Sequence, residues 1–124
     1  MKKVIATENA PKAVGPYSQA IEVNGTLYIS GQIPVNPADG QVQTEITAAA
    51  HQSLKNIGAI LAEAGMTYDN VVKTTVLLAD IADFKAVNEV YAEYFTGDKP
   101  ARACYQAAAL PLGVKVEIEA IAVK

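Results

Sequence analysis

The 124-residue sequence contains one cysteine, one histidine, no tryptophan and two methionines. A lone cysteine, Cys104, excludes an internal disulfide and fits a reducing cytoplasm. One Cys and one His cannot supply a metal cluster of known spacing, so no metal or other cofactor is expected. His51 falls in register with Thr47 and Lys55 on the polar side of a helical pattern. Read there as solvent-exposed, it leaves no Ser-His-Asp or Cys-His triad. No apolar run approaches a membrane span, and the opening Met1-Lys2-Lys3-Val4-Ile5-Ala6-Thr7-Glu8 lacks the apolar stretch of a signal peptide. Positive charge is not in excess either. Ten basic against 13 acidic residues give a net charge of −3, which argues against an electrostatically driven nucleic-acid surface. Repeats, linkers and low-complexity tracts are absent.

What is present is an apolar fraction of 51%, enough for the core of one domain over residues 1–124. Val4-Ile5-Ala6 reads as a short strand. Pro11, Gly15 and Pro16 mark a loop that ends at Tyr17, a residue that either packs or presents a flat face and a hydroxyl to a ligand. Gln19 to Val23 and Thr26 to Ser30 flank Asn24-Gly25, the favoured two-residue hairpin turn. Ser30-Gly31-Gln32-Ile33-Pro34 follows. Gly31 either lets a backbone approach a ligand or simply ends a strand. Ile46, Ala50, Leu54, Ile57, Leu61 and Ala64 form the buried stripe of a first helix, with Thr44 or Thr47 as its cap and Gly65 as its stop.

Val71 to Ala79 is a strand, apolar on both faces at its end, hence central or covered twice. Asp80 or Asp83 then caps a second helix with a stripe of Phe84, Val87, Tyr91 and Tyr94 or Phe95. Asn88 lies beside that stripe, where it reaches a pocket or caps a loop, the second being preferred. Strands over Arg102 to Ala108 and Val114 to Val123 complete the chain. Two helices cover one face of such a sheet, and the other keeps apolar residues with nothing to bury them, which implies an oligomer.

The stretch Pro100 to Glu119 places Arg102 and Glu117 inside apolar, strand-like sequence. Burying a charge costs several kcal/mol unless it is paired or used. Arginine grips a small carboxylate with two parallel hydrogen bonds, and a glutamate moves protons. The pair therefore marks a pocket for an organic acid with an acid/base group beside it. The alternatives are an Arg102–Glu117 structural ion pair or two solvated positions. Strand alternation puts Arg102 and Cys104 on one face, and Glu117 and Glu119 on one face, without saying whether the two faces meet.

Four blocks in order make the chain resemble the RidA/YjgF family of reactive imine/enamine deaminases over essentially its whole length. They are Ala10-Pro11 with Gly15-Pro16-Tyr17-Ser18-Gln19; Ser30-Gly31-Gln32-Ile33-Pro34; Val72-Lys73-Thr74-Thr75-Val76 with Asp83-Phe84 and Val87-Asn88; and Pro100-Ala101-Arg102-Ala103-Cys104 through Val116-Glu117-Ile118-Glu119-Ala120. The resemblance implies an α+β, chorismate-mutase-like fold: a mixed β-sheet with two helices on one face, assembled as a homotrimer with clefts between subunits. It implies hydrolysis of 2-imino or 2-enamino acids, such as 2-aminoacrylate and 2-aminocrotonate, to 2-keto acids and ammonia, protecting pyridoxal-phosphate enzymes. By position, Arg102 would hold the substrate carboxylate and Glu117 would activate water. The Cys104 backbone would help place that water, and Tyr17, Ser30, Gly31 and Asn88 would complete the pocket. Expected partners are small 2-imino and 2-keto acids, with no nucleic acid and no membrane. The competing expectations are a non-catalytic metabolite sensor and, more remotely, an endoribonuclease or translation inhibitor.

Overall fold

The structure, a computed structural model, describes residues 1–124. Six strands form a mixed sheet: β1 (Lys3–Ile5), β2 (Ala20–Val23), β3 (Thr26–Gln32), β4 (Val71–Leu78), β5 (Ala101–Gln106) and β6 (Val116–Val123). Their spatial order is β1-β2-β3-β6-β4-β5. Only β4 and β5 run parallel, and β6 lies antiparallel between β3 and β4. The Asn24-Gly25 turn joins β2 to β3 with φ of 51° and 79°, values that Asn and Gly tolerate.

Two helices, α1 (Ile46–Glu63) and α2 (Phe84–Tyr94), pack on one face. Leu54, Ile57, Ile60 and Leu61 of α1 are buried against Leu27, Val76, Ile118 and Ala122 of the sheet. The stripe expected for α1 is buried from Ala50 to Ala64, with Ile46 half-buried at its start. Its cap differs: Glu45, not Thr44 or Thr47, accepts from the N–H groups of Thr47 and Ala48. A carboxylate there also meets the positive end of the helix dipole. Asp80 caps the short turn Ile81–Asp83 that leads into α2, whereas Asp83 makes no capping bond.

Two other readings are corrected. His51 is half-buried: its Nδ1 lies 2.8 Å from the Tyr94 hydroxyl and its Nε2 3.8 Å from Glu93. It joins α1 to α2, because those helices pack closely enough for the polar flank of α1 to meet α2. Phe84 is not buried in the α2 stripe, which consists of Val87, Val90 and Tyr91.

The opposite sheet face carries no helix. Val4, Ile21, Tyr28, Ile121 and Lys73 form one cross-strand row on it, and Glu117, Leu77 and Tyr105 another. Val4, Tyr28, Tyr105 and Val123 are exposed.

Candidate active site

Arg102 sits on β5, an edge strand, paired with Thr74 of β4. Thr74 is fully buried under α2, so Arg102 shares the helix-covered face. There Asn88 Oδ1 accepts from Arg102 Nη1 at 2.8 Å. The guanidinium carbon lies 4.9 Å from the Tyr91 ring centroid and 5.5 Å from that of Phe84, within cation–π range. The Tyr91 hydroxyl lies 2.7 Å from Thr74 Oγ1, which fixes the ring from below. Phe84, Asn88 and Tyr91 follow helical i, i+4, i+7 spacing, so one face of α2 makes the whole cradle. Arg102 forms no ion pair in the chain, where the two ion pairs are His51–Glu93 and Glu22–Lys124. Asn88 thus neither caps a loop nor stands free: it holds Arg102.

Glu117 sits on β6, paired with Leu77, on the uncovered face. An Arg102–Glu117 ion pair within one chain is therefore excluded, because the two side chains leave opposite faces of the sheet with β4 between them. Burial pushes the Glu117 carboxyl above the usual carboxylate range, and the charge of Glu119 adds to the shift. Both effects favour a protonated carboxyl.

The position of Glu117 depends on a bulge in β3. Ile29 pairs with Ala120 and Gln32 with Ile118, so Ser30 and Gly31 together oppose Glu119 alone. The extra residue changes the alternation and turns Gln32 inward, where it is buried. At Gly31 a Cβ would lie 2.9 Å from Glu117 Cδ and nearer still to Oε2. The φ of Gly31 is not positive. The glycine is required for space, and the Glu117 carboxyl occupies that space.

Gly31 lines a cleft of about 300 Å3 together with Tyr17, Val14, Gln32, Ile33 and Leu112. Tyr17 is half exposed there, its hydroxyl accepting from the Val14 N–H at 3.4 Å. The Ser30 hydroxyl donates to the Ser18 carbonyl at 2.6 Å, so it offers a ligand only a lone pair. Cys104 pairs with Val76 on the Arg102 face, and burial pushes its thiol up while Arg102 opposes the shift. A thiol held in its protonated form is a poor nucleophile.

The chain therefore places the candidate residues in two groups: Arg102, Asn88 and Cys104 on one face, and Glu117, Gly31, Ser30 and Tyr17 at the other. Sequence reasoning missed Phe84 and Tyr91 as the seat of Arg102 and Gln19 as the anchor of the Tyr17 loop. The α2 spacing carries the first signal. No group of three His, Cys, Asp or Glu side chains is placed to hold a metal ion, and no helix is long and apolar enough to cross a membrane.

The family model described as Endoribonuclease L-PSP matches residues 7–124. The chain is 58% identical over 125 residues to the mouse 2-iminobutanoate/2-iminopropanoate deaminase, covering 100% of this chain and 93% of that protein. It is 50% identical over 127 residues to the protein of the same name in Escherichia coli strain K12, covering 100% and 99%. The crystal structure of Escherichia coli TdcF with bound serine matches with a TM-score of 0.96, at 42% identity over 98% of both chains. With a family model that matches residues 7–124 and relatives 50% and 58% identical over all of its length, the chain belongs to the RidA/YjgF family.

Proposed function

We propose that the protein hydrolyses 2-imino acids and their 2-enamino tautomers to 2-keto acids and ammonia, as a 2-iminobutanoate/2-iminopropanoate deaminase. Removing these reactive compounds spares pyridoxal-phosphate enzymes. The observation that carries the site reading is the Glu117 carboxyl, lodged against Gly31 without an ion-pair partner and with a raised pKa. A carboxyl titrating nearer neutrality takes and returns protons more readily.

The chemistry asks little of the protein. An enamine becomes an imine when its carbon is protonated. Water adds to the C=N carbon, its proton passing to Glu117. Glu117 returns that proton to nitrogen, which gives the neutral amino alcohol; the hydroxyl proton then passes through Glu117 to the amino nitrogen, the C–N bond breaks, and ammonia leaves as the C=O forms. Arg102 holds the carboxylate with two parallel hydrogen bonds and fixes which face is attacked. The backbone at Cys104 helps place the water. Tyr17, Ser30 and Gly31 line the pocket, and Asn88 contributes through its hold on Arg102.

Arg102 and Glu117 lie on opposite faces of one sheet, so their joint use needs more than one copy of the chain. The exposed apolar residues on the uncovered face support a homotrimer, with Arg102 of one subunit opposite Glu117 of the next. Small acids, rather than nucleic acid or membrane, are its partners, and residues 1–124 act as one domain.

A coupled assay tests the reading. A threonine or serine dehydratase supplies the imine, semicarbazide traps what survives, and keto-acid release is followed. Acceleration by the wild type and its loss in Arg102→Ala support deamination at this site. An inert wild type across several side chains refutes it. The serine-bound TdcF structure favours a sensor as the second reading, in which ligand binding persists without turnover.

A further inference from the structure

The loop between β1 and β2 carries Tyr17 to the cleft, yet it has little apolar anchorage. Most of residues 6–18 are exposed or half-buried, and Ala10 alone is fully buried. Its place is set by polar bonds instead. The Gln19 side chain is 5% exposed and makes four hydrogen bonds. Its Oε1 accepts from the Thr7 N–H at 2.7 Å. Its Nε2 donates to the carbonyls of Pro11 at 2.8 Å, Thr7 at 3.0 Å and Ala10 at 3.3 Å.

Gln19 itself is fixed to the sheet, since the Ser30 N–H donates to its carbonyl at 2.9 Å. The Ser30 hydroxyl holds the Ser18 carbonyl from the same strand. Residues 12–17 are thus a short span pinned at both ends, at Pro11 by Gln19 and at Ser18 by Ser30. Inside the span, the Tyr17 N–H donates to the Gly15 carbonyl at 2.8 Å. Tyr17 borders three depressions of the surface, including the cleft at Gly31.

We infer that Gln19 is a positioning residue for the deamination: its buried amide closes the loop that places Tyr17 in the cleft. The role rests on the deaminase reading. Releasing one pin gives residues 12–17 the freedom of an open segment, and misplacing a pocket group by 1 Å costs up to about 100-fold in rate.

The test is a double-mutant cycle read by kcat/KM on an imine generated in place. Gln19→Met keeps the volume of the side chain and removes all four bonds. It is expected to lower kcat/KM by roughly tenfold or more in the wild-type background, and less than about twofold in a Tyr17→Ala background. Amide exchange is expected to quicken across residues 7–18 and to stay unchanged in α1. Should Gln19→Met fail to fold, Gln19→Glu is read the same way, since it keeps the Thr7 bond and loses the donors to three carbonyls. Equal losses in both backgrounds, or full activity in either Gln19 variant, overturn the role of Gln19 while leaving the deaminase reading intact. A wild type inert toward imines overturns both.

Discussion

Gly31→Ala separates the placement of Glu117 from its chemistry. The new methyl group would stand 2.9 Å from Glu117 Cδ and closer to Oε2. Restoring an ordinary carbon–carbon separation of about 3.5–4.0 Å moves the carboxyl by about 1 Å. The backbone pays no conformational penalty, because Gly31 is not among the glycines with positive φ. The displaced group is the end of a flexible side chain, and alanine restricts the unfolded chain by about 0.4–1 kcal/mol in favour of folding. Stability should therefore change by less than about 1 kcal/mol. Activity should not be spared: a 1 Å misplacement costs on the order of 10²-fold in kcat/KM, or about 2.7 kcal/mol of transition-state stabilisation. The measurements are imine hydrolysis at several substrate concentrations and a thermal melt on the same sample. Full activity in a folded Gly31→Ala would refute the argument that this glycine exists to seat Glu117. So would a loss that persists undiminished when Glu117→Gln is already present, since the two changes then act independently.

Three further outcomes follow from the same geometry. Asn88→Ala leaves the Arg102 guanidinium on its aromatic seat without its side-chain acceptor, so KM should rise severalfold with kcat nearly constant; a fall in kcat alone would contradict the proposed anchoring role. Glu117 has a folded-state pKa above its unfolded value, so the folded protein binds more protons and stability falls as pH rises from the ordinary carboxyl range through the raised pKa. Melts across that window should show this decline in wild type and not in Glu117→Gln, while wild-type activity follows the opposite course, rising as the carboxyl deprotonates. Gly58→Ala contrasts with Gly31→Ala. Its Cβ would stand 2.7 Å from Tyr68 Cζ, and the Tyr68 hydroxyl is tied to the Leu54 carbonyl at 2.6 Å, so the melting temperature should fall by several degrees with kcat/KM unchanged.

The hairpin, both helices and the central place of β4 were legible because each rests on local signals: Asn24-Gly25, the α1 stripe from Ile46 to Ala64, and the apolar end of Val71 to Ala79. The candidate site was legible only as residue types. Arg102 and Glu117 stand out as charges in apolar strands, but the face each takes depends on strand order, and β6 inserts between β3 and β4 from the far end of the chain. The bulge at Ser30-Gly31 was hidden for the same reason, since it is defined only against Glu119 on β6. His51 was misread because helical phase tells which side of α1 it occupies and not what packs beside that side. Asn88 was misread in the same way. Its partner lies 14 residues away on a strand whose approach to α2 is a tertiary fact.

The division of the candidate residues between sheet faces makes a prediction that no single-site variant can. If Arg102 of one subunit serves Glu117 of the next, Arg102→Ala chains and Glu117→Gln chains are each inactive alone and complementary together. In a trimer holding both kinds, one cleft in three receives an intact arginine from one chain and an intact glutamate from its neighbour. Random mixing at equal amounts should then restore on the order of a quarter of wild-type activity, provided the chains are unfolded and refolded together or expressed together. Mixing without exchange of subunits should restore nothing, which controls for trace wild type. A site contained within one chain predicts no recovery under either condition, because every chain lacks one of the two groups. The parity of the strands already disfavours that arrangement: Glu117 pairs with Leu77 and Arg102 with Thr74, an odd number of residues apart on β4, so no rotamer brings the two side chains to the same face.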